Sequence, residues 1–232
     1  MRLDKMLAHL NYGTRSEVKK LIRKGYVMVN GVVVKNDDFT INEEIDEVTI
    51  FDDVVTYEEK LYFMLNKPQD VVSATFDYYK PTVIDLFEGY EKRGLFPVGR
   101  LDIDTTGLLI ITNDGELAHN LLSPKKHVFK TYHATLDKKF NPNDITGLEN
   151  GVTLDDGYVT LPAKVESFDG CDVYLSIREG KYHQVKRMFA AFGYTVVELN
   201  RDSFGPLKLD QDLELGEYRR LTEEEIQQLF NN

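Results

Sequence analysis

Leu3, Met6, Leu7 and Leu10 recur at helical spacing and predict a first helix, broken at Asn11-Tyr12-Gly13. A second helix follows, with Thr14 as N-cap, Glu17 completing a capping box and Gly25 as the stop. Val18, Leu21 and Ile22 form its inner stripe. Arg15, Lys19 and Arg23 fall at i, i+4 and i+8 on the other side, and Lys20 and Lys24 widen that face. Tyr26–Val29 and Val32–Val34 flank Asn30-Gly31, a strong short-range hairpin signal. Val48–Phe51 predicts a further strand.

Beyond residue 60 the pattern turns to strands. Leu61–Asn66 reads as a strand ended at Pro68, Val71–Ala74 as a short strand and Thr82–Phe87 as a short helix. Gly99-Arg100-Leu101-Asp102 is a loop that leads through Ile103-Asp104-Thr105-Thr106-Gly107 into an apolar run, Leu108–Ile111, expected to be a buried strand. Asn113-Asp114-Gly115 stops it, and a helix is expected from near Glu116 to near Pro124. Lys130–Leu136, Val159–Phe168 and Asp172–Ile177 alternate as strands, with a short helix over 144–151 between them. Val185, Met188, Phe189 and Phe192 make one helical stripe. Lys186 sits about 100° from Val185 at the edge of that stripe, and Arg187 lies on the exposed side. Tyr194–Leu199 predicts a strand, and a last helix opens at Thr222 with Glu225 in its capping box.

The chain has 232 residues, 42% hydrophobic and 29% charged, ordinary for a globular protein of one or two domains. No apolar run nears the roughly 20 residues of a membrane span, and no signal-peptide core follows Met1-Arg2-Leu3-Asp4-Lys5. The single Cys171 excludes an internal disulfide framework. A cytoplasmic protein is expected. The net charge of −11 argues against nucleic acid until its distribution is read. Residues 1–41 hold eight Lys/Arg and four Asp/Glu; residues 42–59 hold eight acids and no Lys or Arg. A basic module is joined by an acidic connector to a larger domain, and local patches steer phosphate binding.

The five histidines show no zinc-like spacing, so no metal site is expected, and neither a Walker pattern nor G-x-G-x-x-G is present. Carboxylate chemistry remains. Asp102 and Asp104 allow a glycosidase-like acid/base pair, or one nucleophilic aspartate held ionised by a cation such as Lys186.

Helix, basic helix and Asn-Gly hairpin within about forty residues resemble the S4 RNA-binding domain. The shared words are Arg2-Leu3-Asp4-Lys5, Thr14-Arg15-Ser16, Leu21-Ile22-Arg23-Lys24-Gly25 and Val27-Met28-Val29-Asn30-Gly31. The rest resembles pseudouridine synthases of the ribosomal small-subunit type, in the branch with an N-terminal S4 domain. The resemblance is carried by Asn66-Lys67-Pro68, Gly99-Arg100-Leu101-Asp102 with Thr106-Gly107-Leu108-Leu109, Asn113-Asp114-Gly115, Lys130-Thr131-Tyr132, and the run from Glu179 through His183-Gln184-Val185-Lys186-Arg187 to Phe189. Leu215-Gly216-Glu217-Tyr218-Arg219 stands where relatives end in Pro-Gly-Glu-Tyr-Arg.

The resemblance implies an α+β chain: an S4-like domain with its connector over 1–59, then a catalytic domain over 60–232 around a mixed, mainly antiparallel sheet. It implies isomerisation of one uridine in 16S rRNA, free or in an assembling small subunit, by a cofactor-free monomer. Asp102 matches the catalytic aspartate, Tyr132 the tyrosine that packs on the target base, and Lys186 the basic partner of the aspartate. Arg100, Arg187 and Lys67 are expected at RNA, together with Arg2, Lys5, Arg15, Lys19, Lys20, Arg23 and Lys24 of the first domain. His183 and Asp104 are expected to be structural. The alternatives are a 23S rRNA synthase of the same branch, a non-catalytic assembly factor, and a glycosidase-like hydrolase.

Overall fold

The computed structural model describes residues 1–123 and 126–231. They form two compact units, one of Met1–Leu61 with Phe87–Leu95, the other of Tyr62–Leu86 with Phe96 onward. Residues 87–95 pack with the first unit although they lie within the sequence of the second: Asn11 Nδ2 donates to Gly89 O at 2.8 Å and Lys92 Nζ to Gly13 O at 3.0 Å.

In the first unit α1 (Leu3–His9) and α2 (Arg15–Arg23) are followed by β1 (Val27–Val29), β2 (Val32–Val33), β3 (Val48–Ile50) and β4 (Asp53–Val55), a sheet in the order β2-β1-β3-β4. The capping box of α2 is formed: Glu17 N donates to Thr14 Oγ1, and Thr14 N to Glu17 Oε2. Leu3, Leu7, Val18, Ile22, Val27 and Ile50 are fully buried between helices and sheet. The connector is more ordered than its acidic composition suggests, because β4 pairs with β3.

The second unit is built on a nine-stranded sheet. Its strands are β5 (Tyr62–Lys67), β6 (Phe96–Pro97), β7 (Thr106–Thr112), β8 (Lys130–Leu136), β9 (Lys164–Asp169), β10 (Asp172–Ile177), β11 (Val196–Phe204), β12 (Leu207–Lys208) and β13 (Tyr218–Arg220). The main path runs β13-β5-β7-β11-β8-β10-β9, antiparallel except for β7 against β11. Among the described residues four α-helices accompany it: α3 (Gly115–Leu122), α4 (Ile145–Glu149), α5 (Gln184–Ala191) and α6 (Glu223–Phe230). The fold is therefore α+β with a mixed, mainly antiparallel sheet. Asp114 caps α3, its carboxylate accepting from Glu116 N and Leu117 N, and the capping box of α6 at Thr222 is formed.

Two expectations need correction, and one strand was not foreseen. Val71–Ala74 forms one isolated bridge, Val72 to Thr82, because Ser73 turns to the loop at Leu101 instead of joining the sheet. The strand expected over 159–168 begins at Lys164, since residues 151–160 fold into a local turn closed by Thr160 N to Val152 O and Leu154 N to Tyr158 O. Tyr218–Arg220 is a strand that the sequence pattern did not reveal. Pro124 lies outside the described residues.

Candidate active site

The site begins with a loop that the rest of the second unit holds still. Lys67 ends β5 with its side chain fully buried. Its ammonium donates to the carbonyls of Pro68 (2.9 Å), Asp102 (3.1 Å), Ile103 (3.4 Å) and Thr105 (3.0 Å). Ser73 Oγ donates to Leu101 O and accepts from Leu101 N, and Asp70 N donates to Ile103 O. Backbone on both sides of Asp102 is thus fixed while its carboxylate stays 28% exposed. Lys67 cannot meet RNA as expected from the sequence; it organises the loop from beneath. Burial lowers its pKa to about 8, against the pull of Asp104, Asp102 and Asp70.

The loop's far end is anchored by Gly107. It pairs in parallel with Arg201 of β11, and a Cβ there would lie 2.4 Å from Arg201 O. Its φ of +102° also favours glycine. Close approach explains the Thr-Gly pair that the sequence displays.

The start of α5 brings the counter-charges. His183 and Lys186 are one turn apart and face the same way. His183 Nε2 lies 3.6 Å from Asp102 Oδ1, and Lys186 Nζ lies 3.6 Å from Asp102 Oδ2. Lys186 is closer still to Asp104, at 2.5 Å, and that hydrogen bond holds the Asp104 carboxyl below its usual range despite partial burial. The pairing of Lys186 is therefore shared between two carboxylates. His183 takes a left-handed conformation (φ +47°) and stacks on Tyr182, ring centroids 3.8 Å apart. Its place beside Asp102 was missed in the sequence because it precedes the helical stripe. Gln184 braces the turn, its amide donating to Glu179 and accepting from Lys181 N.

A cavity of about 930 Å³ opens over Asp102. Tyr132, 8% exposed on β8, lines it, as do half-buried His183 and exposed Arg100 and Tyr182. Arg187 turns away from the role expected of it: it is paired with Asp155 and Asp156 and also donates to Tyr182 O. Among the described residues no three His, Cys, Asp or Glu are grouped to hold a metal ion.

In the first unit the basic residues divide. Arg2 pairs with Asp4 and Asp38, Arg23 with Asp37, and Lys19 lies 3.7 Å from Asp37. Lys5, Arg15, Lys20 and Lys24 make no ion pair among the described residues.

The second unit thus presents a pinned aspartate beside a nine-stranded mixed sheet, and a pair of helices precedes it in the sequence. The profile of the RNA pseudouridylate synthase family matches residues 61–191 and that of the S4 domain residues 1–45, and the chain belongs to the RNA pseudouridylate synthase family. Over nearly its whole length it is similar to Ribosomal small subunit pseudouridine synthase A of Haemophilus influenzae (46% identity, 99% of each chain) and of Escherichia coli (43%, 97% of this chain and 98% of the other). It is 50% identical to the uncharacterized RNA pseudouridine synthase YtzG of Bacillus subtilis over 97% of each chain. A crystal structure of a pseudouridylate synthase, 44% identical, superimposes with a TM-score of 0.71 over 99% of both chains.

Proposed function

We propose that the chain isomerises one uridine of small-subunit (16S) ribosomal RNA to pseudouridine. The observation that carries this reading is the Asp102 carboxylate, fixed by its backbone and flanked at 3.6 Å by both Lys186 and His183, in a cavity lined by Tyr132. The small-subunit target rests on the similarity to the two synthases named above.

The uridine leaves its stack to enter the cavity, as targets of base-modifying enzymes do. The N1–C1′ bond breaks, the uracil turns, C5 bonds to C1′, the C5 proton is lost and N1 gains one. Mass is unchanged. Asp102 serves either as the nucleophile or as the base that starts glycal formation. Lys186 offsets its charge and fixes its direction, Tyr132 packs on the base and is placed for proton transfer at C5, and Arg100 holds the displaced strand. No cofactor takes part. Residues 1–59 supply RNA affinity through Lys5, Arg15, Lys20 and Lys24, and residues 60–232 supply the chemistry, in a cytoplasmic monomer. Among the described residues no helix is long and apolar enough to cross a membrane.

Pseudouridine mapping of ribosomal RNA treated with wild type and with Asp102→Asn tests the reading. Wild type should modify one site in 16S RNA, and Asp102→Asn should lower the rate roughly 10³-fold or more while still binding RNA. Activity retained in Asp102→Asn would remove the aspartate from the mechanism. Modification of 23S RNA would move the substrate, release of free uracil would mean hydrolysis, and binding without modification would mean an assembly factor.

A further inference from the structure

One wall of the cavity carries charge for which the proposed chemistry has no use. Lys130 opens β8, and the register sets it opposite Ile177 of β10 and Phe204 of β11. Arg178 follows Ile177, and Arg201 lies three residues before Phe204. Lys130 Nζ is 5.4 Å and Arg201 Cζ 5.2 Å from the centroid of the same Phe204 ring, so two cations contact one aromatic ring. Arg178 Cζ lies 5.2 Å from the ring of the neighbouring Phe129. All three cations line the cavity with Asp102 and Tyr132.

These cations are short of partners. Arg201 is 2% exposed; its Nε donates to Leu108 O at 2.8 Å, but one terminal nitrogen is buried with no hydrogen-bond partner. Arg178 Nε is buried and equally unpaired. Lys130 donates to Val128 O at 2.9 Å. None of the three forms an ion pair among the described residues. Glu179, the acid of this wall, is already engaged by Tyr158 Oη, Leu161 N and Gln184 Nε2. Burial and the nearby Arg201 charge push Lys130 down to about 8, with Glu179 pulling the other way. Desolvated positive charge without a counter-ion is costly, and a cluster of it lining an open cavity is arranged for an anion.

Resting on the reading of this cavity as a uridine pocket, we propose that Lys130, Arg178 and Arg201 form a subsite for a backbone phosphate adjoining the target uridine. Uracil offers carbonyl acceptors but no charge, so it cannot compensate three cations. The phosphodiester is the anion that every RNA nucleotide brings, and arginine donors match its oxygens. The subsite locates the strand so that C1′ arrives at Asp102. Lys130, Arg178 and Arg201 are thus positioning residues.

Binding of UMP and of uridine to the full-length protein, measured by calorimetry at low salt, tests the subsite. Wild type should favour UMP over uridine roughly tenfold or more, the effect of charge-assisted hydrogen bonds, and inorganic phosphate should compete with UMP but not with uridine. Arg201→Met should abolish the preference. Lys130→Met and Arg178→Gln, less buried, should each reduce it and keep the test decisive if Arg201→Met does not fold. In turnover on RNA the two should raise KM more than they lower kcat. Equal affinity of wild type for UMP and uridine, no binding of UMP, or a preference unchanged in both variants overturns the subsite. The uridine-pocket reading stands or falls separately, on Asp102→Asn.

Discussion

Lys5, Arg15, Lys20 and Lys24 of the first unit stand without ion pairs among the described residues, whereas Lys67, Lys130 and Arg201 of the second are drawn inside and give hydrogen bonds to backbone carbonyls. On the proposed function, the first set acts through a long-range field that salt screens. The second acts at contact distance, by fixing where a loop or a ligand lies. Although acids outnumber bases over the whole chain, these cations are segregated by depth, so the average charge does not describe either set.

Replacing one buried and several exposed cations should separate the two modes. Lys67→Met removes the donor to four loop carbonyls, and displacement of Asp102 should cost about 10²-fold in kcat with KM little changed. Unfolding in urea should show a loss of about 1–3 kcal/mol, from carbonyls left unpaired. Unchanged kcat would break the comparison. The same position predicts a pH trend: folded Lys67 loses its proton near pH 8 and unfolded lysine near 10.4. Between those values the unfolded state binds more protons, so wild type should gain stability relative to Lys67→Met as pH rises from 8 to 10, by about 2 kcal/mol. In the first unit, Arg15→Gln with Lys20→Gln should leave kcat intact, raise KM roughly tenfold at low salt, and reduce the slope of log affinity against log salt by about 2. Asp104→Asn should free Lys186 for Asp102 and shift kcat only a few-fold, about what a partly exposed ion pair is worth. Smallest, Thr14→Ala and Thr222→Ala should each lower stability by about 1 kcal/mol, with no change in the salt slope.

Much of the first unit was legible because its signals are local: a capping box, an Asn-Gly turn and a helical stripe each lie within a few residues. In the second, α5 and β7 were equally plain, and Asp102, Tyr132 and Lys186 were singled out by the family motifs. Lys67 was misread as a surface cation, since its acceptors at 102–105 lie more than thirty residues away and nothing near it marks burial. Arg201 went unnoticed for the same reason; its surroundings are made by Leu108 and Phe204 only once the sheet has closed. The strand Tyr218–Arg220 pairs with Phe63–Leu65, a register that no local pattern encodes.

The parallel pairing of Arg201 with Gly107 also sets an order of events during synthesis. Every residue of the first unit has been made once Leu95 is joined, whereas the cavity waits for Lys186, Arg201 and Phe204 to reach the sheet. At about 5–20 residues per second that gap lasts roughly 5–20 s. Closing a pairing across some ninety residues then adds its own delay, because long-range contacts carry the largest loop-closure cost. For that interval the nascent chain holds its RNA-binding half complete and its catalytic centre unmade.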